Sequence, residues 1–181
     1  MGLVKIDALV NEIKRSKEIE KANYEDFFIG ELFHIDSPKK KFNARDVKFG
    51  GTHPYVVRSN FNNGIKGFID ENIEYLNAGQ TISFGQDTAT MFYQENPYFT
   101  GDKIKIFTLK DKQLDKNIAL FLISAMQASF KYFSWGKTKF DETTLKKVKV
   151  ELPAISKDEP DWNYMDKYID NIYIYIYRAL I

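Results

Sequence analysis

The densest group of side chains able to make specific hydrogen bonds lies between positions 58 and 63. It contains a guanidinium, a hydroxyl and three amides, from Arg58, Ser59, Asn60, Asn62 and Asn63. A guanidinium donates in a fork that matches the edge of guanine or a phosphate, and amides pair in a similar way with adenine. The segment therefore has the composition of a loop that reads nucleic-acid bases, although an ordinary asparagine-rich turn would contain the same residues.

Two other segments carry cations suited to phosphate contacts. The first has three consecutive lysines and an arginine, namely Lys39, Lys40, Lys41 and Arg45. The second interleaves lysines with aromatic rings around a glycine, and its candidate contacts are Lys131, Trp135, Lys137 and Lys139. Ammonium groups neutralise phosphates and aromatic rings stack on bases. The alternatives are a solvated lysine loop in the first segment and rings that close the core in the second.

A second polar loop presents Gln86, Asp87 and Thr88 between two predicted strands. Gly85 precedes it, but neither a dinucleotide-binding nor a P-loop pattern is present. We therefore predict a second hydrogen-bonding loop rather than a nucleotide site.

Few residues of this chain are suited to catalysis. The two histidines, His34 and His53, lie on separate segments, cysteine is absent, and the acidic residues show no metal-ligand spacing. We predict no catalytic residue, no metal and no cofactor. An alternative is a small metal-dependent nuclease that uses Asp102, Lys103 and Lys105, or the acidic residues between Glu142 and Glu151.

The overall composition is that of a folded protein without a global basic signal. The 181 residues are 44% hydrophobic and 28% charged, and the formal net charge is +1. Any affinity for DNA must then come from a local patch. The absence of cysteine, of a signal-peptide pattern and of a long apolar run leads us to expect a cytoplasmic protein that does not enter a membrane.

The hydrophobic pattern predicts the elements that position these loops. Strands are expected at residues 27–35, 55–57, 65–69, 81–84, 90–93, 104–109 and 147–152. Asn63-Gly64 supplies the turn of a hairpin between the second and third of them. Helices are expected at residues 3–21, 117–132 and 161–181, and Pro153 should open a linker over residues 154–160. These elements predict a mixed α+β fold with a twisted, mostly antiparallel sheet.

The predicted C-terminal helix has more apolar surface than one small domain usually covers. Two apolar stripes lie side by side on it, and the candidate interface residues are Met165, Tyr168, Ile169, Ile172, Tyr175 and Ile176. We expect the uncovered part to bind a partner or a second copy.

The order of these pieces resembles a known family. Phe28-Ile-Gly-Glu-Leu-Phe33, Tyr55-Val-Val-Arg58 leading into Asn62-Asn63-Gly64, Phe99-Thr-Gly-Asp102 and Lys149-Val-Glu-Leu-Pro153 occur in the order found in target recognition domains. These domains belong to the specificity subunits of type I restriction–modification systems and to related fused restriction–modification enzymes. Such subunits usually carry two recognition domains separated by long helices, whereas this chain holds one domain and one following helix.

The resemblance implies a non-catalytic module that reads duplex DNA and positions a methyltransferase subunit and, in some systems, a restriction subunit. It divides the chain into an N-terminal helix (1–23), a target recognition domain (24–153), and a linker with the C-terminal helix (154–181). It also implies a homodimer, because the equivalent helices pair two recognition domains. A protein-only interaction domain is the second alternative function.

Overall fold

Ten strands and four α-helices make up the part of the chain that the computed structural model describes, residues 22–130 and 140–180. The strands are β1 (Asn23–Phe28), β2 (Phe33–Asp36), β3 (Phe49–Val56), β4 (Ile65–Ile69), β5 (Thr81–Gly85), β6 (Met91–Gln94), β7 (Phe99–Thr100), β8 (Ile104–Leu109), β9 (Lys149–Ser156) and β10 (Glu159–Pro160). The helices are α1 (Ile29–Leu32), α2 (Lys116–Phe130), α3 (Glu142–Lys146) and α4 (Trp162–Leu180). The predicted mixed α+β fold is confirmed.

The strands form three sheets, with the orders β1-β9-β10, β2-β8-β5-β6 and β4-β3-β7. Their pairings are antiparallel except for the short parallel pairing of β3 with β7. The predicted hairpin corresponds to β3 and β4, in which Tyr55 lies opposite Gly67. The largely antiparallel arrangement agrees with the prediction.

Of the three apolar clusters among the described residues, two pack against the sheets that carry the polar loops. In the larger, α2 buries Leu122 and Met126 among side chains from the four-stranded sheet, where the rings of Phe84 and Phe107 stack at 5.4 Å. The smaller lies beneath the three-stranded sheet of β3 and joins Phe42, Tyr55, Ile69 and Phe99. The second core supports the base of the polar loops.

The predicted strand over residues 27–35 is wrong in one respect, because α1 interrupts it. The Glu31 carboxylate accepts a hydrogen bond from the Phe28 backbone N–H at 3.0 Å, and Ile29 N–H donates to the carbonyl oxygen of Val148 at 2.9 Å. These contacts turn the chain, so that β1 joins one sheet and β2 another. The single turn of helix lets one apolar run contribute to two sheets.

The end of the last predicted strand is also wrong. Strand β9 continues through Pro153 to Ser156, and the segment expected to be a linker turns back as β10. Pro153 lies opposite Tyr24 of β1, and its carbonyl oxygen accepts a hydrogen bond from the Asp161 N–H at 2.8 Å. Residues 154–156 and 159–160 therefore belong to a sheet, with a turn at residues 157–158 between them.

Helix α4 confirms the predicted C-terminal helix and packs on α2. It begins after Asp161, whose side chain accepts a hydrogen bond from the Tyr164 N–H at 2.9 Å. Asn117 of α2 donates to the carboxylates of Asp166 and Asp170, each at 2.8 Å. The first half of α4 is thereby fixed to the domain.

The predicted N-terminal helix lies outside the described residues. Within residues 22–130 and 140–180, no helix is both long and apolar enough to cross a membrane.

Candidate nucleic-acid interface

The hairpin loop between β3 and β4 has the backbone shape that its sequence predicts. Three successive residues have positive φ, with 49° at Asn62, 55° at Asn63 and 76° at Gly64. Asparagine and glycine enter this region at lower cost than other residues. The Val57 N–H donates to the Gly64 carbonyl oxygen at 2.9 Å, which closes the loop and raises Arg58 at its edge.

Arg58 meets the second polar loop, 29 positions further along the chain. Its Nη1 donates to Oδ2 of Asp87. Lys103, in the turn before β8, donates to the same oxygen at 2.8 Å. The structure therefore brings two predicted loops together and adds a third cation-bearing turn, which our sequence analysis did not place among the binding residues.

The two cations keep Asp87 ionised. The hydrogen bond from Lys103 lowers the pKa of the Asp87 carboxyl most, burial opposes this shift, and the charges of Lys103 and Arg58 lower the pKa further. Two positive groups on one carboxylate leave this cluster with a local excess of positive charge, as a site for an anionic polymer requires.

A shallow groove of about 430 Å³ joins this cluster to the lysine segment. Its lining residues are Lys41, Phe42, Asn43, Ala44, Tyr55, Val57, Arg58, Gly101 and Asp102. Lys41 forms an ion pair with Asp102, at 3.4 Å between Nζ and Oδ1. The Lys40 ammonium lies over the rings of Phe42 and Tyr75, at 4.9 and 4.5 Å from their centroids. Three of the four predicted binding segments thus border one surface.

Several predicted base readers are engaged within the domain. The side-chain amide of Asn62 donates to Ile65 O at 3.0 Å, that of Asn63 to Tyr93 O at 2.8 Å, and that of Gln86 to Phe140 O at 2.8 Å. These bonds shape the loops. Asn60 is exposed, and the Thr88 hydroxyl bonds that of Thr90 at 2.8 Å.

The remaining predicted DNA-contact residues divide into two groups. Lys39 and Arg45 are exposed on the lysine segment. The other group, Lys131, Trp135, Lys137 and Lys139, lies outside the described residues. The Gln86 contact to Phe140 shows that the residue directly after this segment lies beside the second polar loop.

The alternative of a metal-dependent nuclease receives no support. Asp102 and Lys103, which that alternative treated as a metal site, instead pair with Lys41 and Asp87. Glu142 forms an ion pair with Lys146 at 2.7 Å. Among residues 22–130 and 140–180, no three histidine or acidic side chains are grouped so as to hold a metal ion.

His53 belongs to a hydrogen-bonded group that links two strands. Its Nδ1 lies 3.1 Å from Oδ1 of Asp70, and the same oxygen accepts hydrogen bonds from the N–H and hydroxyl of Thr52 at 2.9 and 2.8 Å. The Thr52 and His53 bonds lower the pKa of the Asp70 carboxyl. This group ties β3 to the end of β4.

The predicted interface residues on α4 divide by burial. Met165 is 0% exposed and Ile169 9%, because both belong to the face that packs on the domain. Their inclusion in a partner interface is therefore wrong. The Tyr168 ring packs edge-on against Phe121 at 5.4 Å, and Tyr175 is half-buried. Ile172 at 37% and Ile176 at 53% are exposed.

Comparisons with known proteins show the fold and the family of the chain. The chain is 34% identical over 151 residues to the Type II restriction enzyme BgcI specificity subunit S.BcgI of Heyndrickxia coagulans, which covers 82% of this chain and 43% of that protein. The fold resembles the S subunit of a type I restriction-modification system from M. genitalium, with a TM-score of 0.65, 15% identity, and coverage of 87% of this chain and 40% of that one.

A second solved structure has the same fold. The HsdS subunit from Thermoanaerobacter tengcongensis matches with a TM-score of 0.57 and 12% identity over 94% of this chain and 45% of that one. The chain thus spans less than half the length of these relatives. The model of the type I restriction modification DNA specificity domain matches residues 21–175, and this chain belongs to that family.

Proposed function

We propose that this chain is a sequence-specific, double-stranded DNA-binding specificity module of a cytoplasmic restriction–modification system. It has no catalytic residues of its own, and it positions a methyltransferase subunit, and in some systems a restriction subunit, on the target. Its family membership supports the class of function. The described residues support the location of the contact surface.

The observation that carries the proposal is the convergence of three loops, distant in sequence, at the Arg58 cluster. Arg58, Asp87 and Lys103 meet directly, and the groove connects them to Lys41. Local cations are required because the whole chain has a net charge of only +1. In this arrangement, Lys40 and Lys41 contact phosphates, while Arg58 and Asn60 reach base edges.

The partner contact is assigned to the second half of α4. Apolar side chains are exposed there on several sides of the helix, namely Ile172, Tyr173, Ile174, Ile176, Tyr177 and Leu180. Exposed apolar surface of this extent favours a protein interface. Pairing of two copies through α4 would place two identical domains on DNA and require two inverted half-sites.

Selection of bound sequences from a random duplex library tests the DNA-binding function. The wild-type chain should enrich one motif, both alone and with its modification subunit added in parallel. Arg58→Ala should lose about 1–3 kcal/mol of binding free energy at particular base pairs. Lys41→Ala should weaken binding to all duplexes and reduce the salt slope by about one.

Lys157→Ala is the matched control, because Lys157 is an exposed lysine at the turn between β9 and β10. It should leave both motif and salt slope unchanged. Failure of the wild-type chain to enrich any motif under both conditions would overturn the proposal. Magnesium-dependent cleavage by the chain alone would favour the nuclease alternative.

A further inference from the structure

We propose that Asp87 is a positioning residue that determines specificity by holding the Arg58 guanidinium in place to read a guanine. This inference rests on the proposed DNA-binding function and assigns roles within the same surface. The sequence predicts that Asp87 reads a base directly, whereas in this proposal it acts through Arg58.

One side of the guanidinium has no hydrogen-bond partner among the described residues. Asp87 accepts a hydrogen bond from Nη1 of Arg58. Within residues 22–130 and 140–180, Arg58 makes no other side-chain hydrogen bond. Nε and Nη2 therefore remain as a pair of donors. Guanine presents two acceptors, O6 and N7, on its major-groove edge, and a two-donor fork matches them. No other base offers two acceptors there.

The aliphatic part of the Arg58 side chain is held in place as well as its guanidinium. A Cβ placed on Gly85 would lie 3.3 Å from Cγ of Arg58, so the aliphatic chain passes closely over a residue without a side chain. The Arg58 side chain is 32% exposed, whereas that of Lys103 is 49% exposed. A guanidinium fixed at stem and tip loses less freedom on binding, which favours discrimination between bases.

Asp87 also limits contacts that carry no sequence information. Its carboxylate pairs with both Arg58 and Lys103 and would repel a phosphate placed on either. Removing this charge releases two cations for any duplex. Binding to unrelated DNA should then strengthen while discrimination falls, a pair of opposite changes that simple loss of a contact or of folding does not produce.

The test measures dissociation constants of the full chain for the selected duplex and for duplexes with single base-pair changes, over a range of salt. Arg58→Ala and Arg58→Lys should each lose roughly 5- to 150-fold discrimination at one G·C pair. Asp87→Asn should lose about tenfold at that same pair and bind an unrelated duplex more tightly, with a steeper salt slope.

The double variant Arg58→Ala/Asp87→Asn distinguishes two roles for Asp87: positioning Arg58, or reading a base by itself. Its discrimination at that G·C pair should equal that of Arg58→Ala, because Asp87 acts there only through Arg58. Asp102→Asn is the matched control, since it removes a carboxylate paired with a lysine of the same groove. It should alter the salt slope and preserve the base preference. Thermal unfolding of each variant establishes that it is folded.

Failure of the inference differs from failure of the proposed function. If the wild-type chain enriches a motif but Asp87→Asn keeps full discrimination at the pair read by Arg58, or if that pair is not G·C, the inference is wrong and the function stands. Additive losses in the double variant would also overturn it. If the wild-type chain enriches no motif, both fail.

Discussion

Asn63 shapes the hairpin loop through both its backbone and its side chain. The residue has a φ of 55°, and its amide donates to the Tyr93 carbonyl oxygen at 2.8 Å. The neighbouring Gln94 amide in turn donates to the Asn63 carbonyl oxygen at 3.0 Å. These bonds fasten the loop to β6, and they give Asn63 a part in forming the surface on which Arg58 stands.

Substitution of Asn63 should therefore change stability more than base preference. Asn63→Gly keeps access to positive φ and loses a hydrogen bond, with a cost of about 0.5–1.5 kcal/mol. Asn63→Ala adds a left-handed penalty of about 1–2 kcal/mol. In urea denaturation, the wild type should be the most stable, Asn63→Gly less stable, and Asn63→Ala the least stable. Equal stability of the two variants, with an altered DNA motif, would instead make Asn63 a base reader.

The side-chain types of the proposed surface can be read from the sequence, but their pairing cannot. Arg58 and the lysine run are candidate contacts because guanidinium and ammonium groups suit base edges and phosphates, while a solvated lysine loop has the same composition. The role of Lys103 depends on a turn that brings it within 2.8 Å of Asp87, and no local pattern indicates such a contact. Asn62, Asn63 and Gln86 carry the side chains of base readers, yet backbone carbonyl groups nearby in the fold occupy them.

At the scale of elements, the contact between α2 and α4 fixes the C-terminal helix to the domain. Asn117 donates from one amide nitrogen to Asp166 and Asp170, which lie one helical turn apart on α4. Two carboxylates at this spacing repel each other, and a shared donor offsets the repulsion. Asn117 thus stabilises both the helix and its packing.

Two substitutions of Asn117 test this arrangement, one that removes the donor and one that also adds a negative charge. Asn117→Ala should lower the free energy of unfolding by about 1 kcal/mol, since the bonds are charge-assisted but partly exposed. Asn117→Asp should cost more, because a third carboxylate joins two others. The extra loss should shrink as salt is added, because salt screens the repulsion between partly exposed charges. Thermal unfolding at low and high salt measures the difference, and a salt-independent gap between the two variants would contradict it.

The errors in the predicted elements arise where tertiary contacts outweigh local preference. The apolar run at residues 27–35 fits a strand, but the Glu31 hydrogen bond and the packing of Gly30 against Lys146 produce a helical turn. Pro153 is a strand-ending signal that fails because β1 and β10 pair on both sides of β9. Elements with a strong period of their own, such as β8, α2 and α4, follow the prediction closely.

At the scale of the whole molecule, the second half of α4 leaves apolar side chains exposed. Its first half is buried against the domain at Met165 and Ile169, whereas exposure rises towards the end of the helix. Among the described residues, the domain therefore covers only part of the apolar surface that the sequence places there. We assign the rest to the partner contact proposed above.

Charged residues introduced on this surface should prevent assembly and leave the fold intact. Ile172→Lys/Ile176→Lys should remain folded, because both side chains are exposed, and should sediment as a monomer that no longer recruits the modification subunit. Asn163→Lys is the control, since it adds a lysine at an exposed position on the opposite side of α4. A monomeric wild-type chain whose partner binding survives removal of residues 162–181 would contradict the assignment.

The β9–β10 hairpin bears on the geometry of the two-copy complex proposed above. Residues 154–156 and 159–160 are paired strands joined by a two-residue turn, and the Asp161 N–H is bonded to Pro153 O at the point where α4 begins. A hydrogen-bonded hairpin thus connects the domain to the helix in place of an extended linker. In such a complex this connection would set the reach between the two recognition surfaces, and an error of one base-pair step, about 3.4 Å along the duplex, would have no extended linker to absorb it.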